Sequence, residues 1–370
     1  MLLLLSIALA GWPAKVRACH AEPTRDCIRE ALLREARTPD RTYAGDKTKR
    51  PFLEGLVGAV YDDGALQAAA VDALHRDRAA QLGAQWEPAV AELVTVNRVL
   101  GHPDRAQALS DAAGLSDVQL RKIEREVAMR QGQLDLFVEV VEHPMAPDSV
   151  RSDVAGQIVP HLVARGDLVG VASLLVHLPA EVSGDGWSEA ERVALSLYGP
   201  LHATGQSTEA GALRLVVRSE PARAELKRLE AVRLADPTAA LGRALALEDP
   251  VDRESAVAAL GVDLARAGKL DASLKTLESL PLDSHALSRS LIASAALEVA
   301  VTANRWDTAM VAWAALDPDS QADQALWQME RALDAGRTQP AATFLGSVPF
   351  ERFGWQRELL MARLAVLLGP

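Results

Sequence analysis

The two cysteines of the chain, Cys19 and Cys27, are the residues best placed to do chemistry, since they are the only thiols and lie close together. A disulfide between them would close a small loop and stabilise the fold by about 2–3 kcal/mol, provided that the protein reaches an oxidising compartment. A metal site built from Cys19, His20 and Cys27 is a second interpretation. It is the weaker of the two, because this spacing matches no standard zinc pattern. We interpret Cys19 and Cys27 as a candidate disulfide.

The other chemical motifs predict no catalysis. The eight histidines are scattered, and none of them forms the H-E-x-x-H spacing of a helical zinc site. The chain has no G-x-S-x-G elbow. Residues 45–48 contain Lys-Thr without the upstream spacing of a phosphate-binding loop. Asp185 lacks the alternating acidic ligands of a calcium loop. We therefore expect a protein that is not an enzyme and that uses no cofactor and no metal.

Composition favours packed helices and excludes a typical nucleic-acid binder. The chain carries 39 basic and 50 acidic residues, a net charge of −11, so it lacks the basic footprint that nucleic acids require. Hydrophobic residues make up 49% of the sequence but aromatic residues only 4%. Alanine and leucine, which favour helices, therefore supply most of the core.

The N-terminus is typical of an export signal. Residues 1–12 read MLLLLSIALAGW, an apolar run too short to span a bilayer, and Pro13 follows it. We expect residues 1–18 to be a signal peptide that is cleaved after Ala10 or after Ala18. The protein would then be exported to the periplasm or envelope of a bacterium. Cleavage after Ala18 would leave Cys19 first, as in a bacterial lipoprotein, so a lipid anchor on Cys19 is the alternative to the disulfide.

A two-helix pattern recurs about every 31 to 39 residues and must position any functional surface. In each copy a helical stretch ends at glycine or asparagine, a small residue follows about five positions later, and a second apolar stretch closes near proline. The turns are predicted at Gly101, Gly132, Gly166, Gly205, Gly268, Asn304 and Gly336. A degenerate copy near Ala235 fills the long gap, and Asp63 marks a candidate further copy. This pattern predicts about eight antiparallel helix pairs.

The clearest copy, Glu254–Pro281, resembles the tetratricopeptide repeat. Its first helix carries the pair Leu260-Gly261, where a neighbouring helix must come close, and its second begins with the small residue Ser273. The closing proline arrives about four residues early, so the second helix is shorter than in that family. The resemblance implies an α-α superhelix (solenoid) that binds a protein or peptide on its concave face.

The resulting domain prediction has four parts. Residues 1–18 form the signal peptide, and residues 19–86 form a helical N-terminal region with a polar linker at 38–50. The helical repeats occupy residues 87–353. Residues 354–370 form a helix that covers the last repeat.

The expected function is that of a non-catalytic, exported scaffold that binds a partner protein. Four of the seven tryptophans, which often anchor interfaces, lie in the last 65 residues: Trp306, Trp313, Trp327 and Trp355. Trp306 lies at a turn and is our candidate for a partner groove, whereas Trp313 occupies a core position. The alternatives are a cell-envelope enzyme of the cell-wall hydrolase type and a carrier of lipids or small molecules on a superhelical frame.

Overall fold

The computed structural model describes residue 19 and residues 22–38, 46–77, 86–179, 186–280, 286–348 and 354–369. The predicted signal peptide, His20 and the Asp185 loop position therefore lie outside the described residues.

The described residues form twenty α-helices, one 3-10 helix (Leu213–Leu215) and no β-strand, which confirms the predicted all-α class. Helix α1 (Arg25–Arg37) comes first and α20 (Gly354–Leu367) comes last. Between them lie nine successive pairs: α2 (Asp46–Val60) and α3 (Gly64–Asp77), α4 (Trp86–Val99) and α5 (Pro103–Ala113), α6 (Asp117–Arg130) and α7 (Asp135–Glu142), α8 (Asp148–Ala164) and α9 (Leu168–Leu175), α10 (Glu189–Ala203) and α11 (Ser207–Ala212), α12 (Glu220–Leu234) and α13 (Pro237–Leu245), α14 (Pro250–Arg266) and α15 (Leu270–Ser279), α16 (Ala286–Thr302) and α17 (Trp306–Ala314), and α18 (Pro318–Asp334) and α19 (Thr338–Ser347).

All seven predicted turn residues adopt the left-handed backbone conformation, with φ between 54° and 85°. At Gly268, for example, the Gly268 N–H donates to Ala265 O and the Lys269 N–H donates to Leu264 O, both at 2.8 Å. These two bonds satisfy carbonyls that the helix end leaves open. In the α2–α3 connection it is Asp62, and not Asp63, that takes the positive φ of 55°. The degenerate turn at Ala235 is instead extended, with ψ at 152°.

The second helix of most pairs is short, as the early prolines predict. From α4 to α19 the first helix of each pair has 14 to 17 residues and the second has 6 to 11. Pairs α4–α5, α8–α9, α14–α15 and α16–α17 pack together along these helices.

Gly261 is a point of close helix approach, which confirms the prediction from the clearest repeat. The Ser273 hydroxyl on α15 donates to Gly261 O on α14 at 2.8 Å. A Cβ atom at position 261 would lie 2.3 Å from Thr276 Oγ1 and 2.8 Å from Ile292 Cγ1. Only glycine fits between these three helices without displacing a neighbour.

The chain divides into two compact units, residues 1–133 with 325–370 and residues 134–324, and the division falls within α18. In the first unit α20 packs against α19, as a helix that covers the last repeat would, and also against α1 and α2. The Arg25 guanidinium donates to Ala365 O at 3.3 Å and to Val60 O at 2.9 Å, which ties the three helices together. The predicted linker at 38–50 is shorter than expected, because α2 already begins at Asp46.

In the second unit, contacts reach beyond successive helix pairs. Helix α10 packs against α14 and α16 as well as against its neighbours in sequence. A Cβ atom at Gly199 on α10 would lie 2.6 Å from Arg266 O at the end of α14. The Asn304 side chain donates to Ala164 O, 140 residues away, at 3.4 Å. In an extended solenoid, by contrast, each repeat contacts only its neighbours.

Glu191 joins the starts of α10 and α12. Its carboxylate is 2% exposed and accepts hydrogen bonds from the backbone N–H groups of Ser188 (2.8 Å), Arg218 (2.8 Å) and Ser219 (2.6 Å). Burial raises the pKa of Glu191, but these three donors outweigh it and lower the pKa to about 2. Because Ser188 and Ser219 are the N-caps of the two helices, one carboxylate fixes both helix starts.

Replacing Gly199 by alanine should destabilise the second unit by about 1–3 kcal/mol, because the added methyl group meets backbone that cannot move aside. Gly242→Ala on α13 is the matched control, since a Cβ atom there meets nothing within 4 Å. We expect that control to be neutral or to stabilise by up to about 1 kcal/mol. Urea unfolding followed by circular dichroism measures both. Equal unfolding midpoints for the two variants would contradict the close contact of α10 with α14.

Replacing Glu191 by glutamine should destabilise the protein by about 3 kcal/mol at pH 7, in proportion to the lowered pKa. A carboxylate whose folded pKa lies below its ordinary value of 4.5 stabilises the fold above that pH, and this stabilisation is lost as pH falls towards 2. The difference between wild type and variant should therefore shrink as the pH is lowered below about 4.5.

Urea midpoints measured between pH 7 and pH 3 test this, with Glu189→Gln, an exposed residue of the same helical turn, as the control. A difference that stays constant over this range would show that Glu191 does not act through its charge.

Candidate interaction surface

Cys19 and Cys27 are joined by a disulfide, with their Cα atoms 5.6 Å apart. Cys19 is 2% exposed, and Cys27 lies in the first turn of α1, where its backbone N–H donates to the Thr24 hydroxyl at 3.3 Å. The bridge thus ties residue 19 to the start of α1. Sulfur atoms in this bridge are not available for a lipid or a metal. Within the described ranges, no three or more His, Cys, Asp or Glu side chains are grouped so that they could hold a metal ion.

Trp306, the candidate groove residue, is buried. It is 8% exposed, and its indole N–H donates to Asn304 Oδ1 at 3.0 Å. Trp313, on the same helix, is 3% exposed. Both rings therefore belong to the packing of α17 and its turn, and Trp306 does not present its ring to a partner in this structure.

Trp327 is the exposed tryptophan among those whose side chains are described. It is 49% exposed on α18, and the Arg331 guanidinium lies 4.7 Å from the centre of its ring. Glu330, Arg331 and Asp334 follow at spacings of three, four and seven residues, which places all four on one helix face. We call Trp327, Glu330, Arg331 and Asp334 the α18 face. The opposite face, with Ala325, Gln328, Met329 and Ala332, is buried.

A network of ion pairs lies next to the α18 face in the first unit. Arg130 on α6 forms two hydrogen bonds with Glu92 on α4, at 2.5 and 3.0 Å, and a third with Glu126 at 2.7 Å. Burial lowers the pKa of Arg130, but the two carboxylates outweigh it and raise the pKa, so the guanidinium stays charged. On the other side, Arg363 of α20 pairs with Asp334. The ion pairs thus join α4 to α6 and, separately, α18 to α20.

Glu330 stands apart in this network, since it forms no ion pair or hydrogen bond in the part of the chain that the structure describes. Its side chain is exposed to solvent. Partial desolvation and the nearby Asp334 raise the pKa of Glu330, whereas Arg363 and Arg130 oppose the rise. Glu330 is therefore a carboxylate near two arginines that are already engaged elsewhere.

Capping, packing and ion pairs explain the strongly shifted pKa values in the second unit; the Arg228 pKa, for example, is raised by Glu225 and Asp263. Besides Glu191, Asp317 accepts hydrogen bonds from the hydroxyls of Ser290 and Ser320, which lower its pKa. Burial and the nearby Arg233 lower the pKa of His202 to about 4. A pocket of about 240 Å³ lies beside Glu191, but that carboxylate is fully used by backbone donors.

The spacing of the α18 face is visible in the sequence, but its neighbours are not. Trp327, Glu330, Arg331 and Asp334 recur at intervals of three, one and three residues, which predicts that they share one face of a helix. Nothing in the sequence indicates that Glu92 and Arg130, about 200 residues earlier, lie beside it.

No protein-family model, no curated protein and no solved structure matches this chain. The resemblance to the tetratricopeptide repeat therefore rests on the residues of the chain alone. Within the described ranges, none of the helices combines the length and the hydropathy that a membrane crossing requires.

Proposed function

We propose that this protein is an exported, non-catalytic scaffold that binds a partner protein through a degenerate tetratricopeptide-like superhelix. The observation that carries the proposal is the α18 face, where a half-exposed tryptophan lies beside a network of charged residues. The partner would contact this face, and the remaining helix pairs would hold the face in place.

The exposed Trp327 ring supports a role in binding. Tryptophan is among the residues that contribute most to protein interfaces, because its large flat surface is removed from water when a partner covers it. In this chain the two neighbouring tryptophans, Trp306 and Trp313, are buried, whereas Trp327 is not.

The ion pairs beside the face support a preorganised surface. Arg130 holds α4 to α6, and Arg363 holds α20 to the end of α18. The side chains of Arg130, Glu92, Arg363 and Asp334 are largely shielded from solvent. A surface whose supporting side chains are fixed in advance loses less conformational entropy when it binds.

The disulfide supports export. Bridges of this kind persist in oxidising compartments and are rare in the cytosol. Together with the apolar stretch at residues 1–12, this favours the periplasm or cell envelope of a bacterium, with the N-terminus held by the bridge and not by a lipid on Cys19.

Site-specific photo-crosslinking tests the binding role. p-Benzoylphenylalanine placed at position 327 in cells that naturally produce the protein should yield discrete crosslinked products of defined mass. The same residue placed at position 215, where Leu215 is 68% exposed in the second unit, should yield none of them. Absence of products at position 327, or identical products at both positions, would show that the α18 face is not the binding surface.

A further inference from the structure

The carboxylates near the α18 face are not equally neutralised. Glu92 and Glu126 share the Arg130 guanidinium, and Asp334 pairs with Arg363. Glu330 is the one carboxylate of this group without an ion pair among the described residues. Arg130 and Arg363 lie near Glu330, but each is already paired with another carboxylate.

The surroundings of the Glu330 carboxylate favour a cation. Glu330 and Asp334 are four residues apart on one helix, a spacing at which like charges repel. Partial desolvation and Asp334 raise the pKa of Glu330, against the opposing effect of Arg363 and Arg130. A positive charge brought close would offset this repulsion.

Trp327 adds a second element that recognises cations. The Arg331 guanidinium lies 4.7 Å from the centre of its ring, so the indole already meets one cation, and the side chain is still 49% exposed for contact with a partner. Glu330 follows Trp327 by three residues, so the indole and the carboxylate are neighbours on the helix surface. An aromatic ring beside an unpaired carboxylate is complementary to a lysine or arginine side chain, whose apolar stem packs on the ring while its charge meets the carboxylate.

We propose that the α18 face binds a lysine or arginine side chain of a partner protein, with the stem on Trp327 and the cationic group at Glu330. The partner segment is thus basic, and it carries the charge opposite to that of this acidic chain, whose net charge is −11. This inference rests on the proposed function and specifies the partner that the same surface would select.

Selection of a random peptide library displayed on phage against the full-length protein tests the inference. Recovered peptides should be enriched in lysine and arginine, and their affinity should fall as salt is raised, because exposed charges are screened. Glu330→Gln and Trp327→Ala should each weaken the recovered peptides by about tenfold, the loss of one good contact. Glu139→Gln, which alters an exposed glutamate of α7, is the matched control and should leave binding unchanged.

The remaining outcomes of the selection would each overturn part or all of the inference. Recovered peptides that are not basic but are lost on Trp327→Ala would overturn the choice of a cation while leaving the binding function in place. Peptides that bind both variants as well as wild type, or a selection that recovers no peptide, would overturn the inference. Photo-crosslinking from position 327 then decides separately whether the proposed function also fails. Circular dichroism of both variants verifies that these exposed substitutions leave the helices intact.

Discussion

The left-handed residue that ends the first helix of most pairs is the constraint on which the rest of the structure depends. At this position the chain must stop one helix, satisfy its last carbonyls and begin the next helix in another direction. A positive φ achieves this within three residues, and glycine adopts it without the steric cost that a Cβ atom imposes. Asn304, with a φ of 54°, is the one predicted turn where a side chain is tolerated. That side chain is used, since it bonds both Trp306 and the carbonyl of Ala164.

The absence of side chains at the turns also permits close packing. A Cβ atom at Gly268 would lie 2.6 Å from Gly199 O, so the α14–α15 turn can rest directly on α10.

In the first unit the same kind of turn, at Gly336, ends α18 immediately after Asp334. The cap at Asp317, whose carboxylate accepts from the backbone N–H groups of Asp319 and Ser320, fixes where α18 begins. The α18 face thus has a defined start and end.

Local features could be predicted from the sequence, whereas contacts over long distances could not. The seven turns, the short second helices and the close approach at Gly261 follow from glycine, proline and apolar spacing within a single repeat. The burial of Trp306 depends on the Asn304 side chain, whose orientation the spacing does not reveal. The pairing of Arg130 with Glu92 joins separate helix pairs, and the packing of α20 on α1 joins opposite ends of the chain. No periodic pattern reports which distant helices will meet.

The stability of a substitution series at Gly336 tests the central claim most directly. A Cβ atom at this position meets nothing within 4 Å, and φ is 66°, so the series measures the backbone conformation alone. We expect urea unfolding to show Gly336→Asn within a few tenths of a kcal/mol of wild type, since asparagine tolerates this region. Gly336→Ala should lose about 1 kcal/mol and Gly336→Val more, because of the Cβ atom and its branching. Alanine and valine variants as stable as wild type would contradict the claim that the left-handed turn determines the helix pairs.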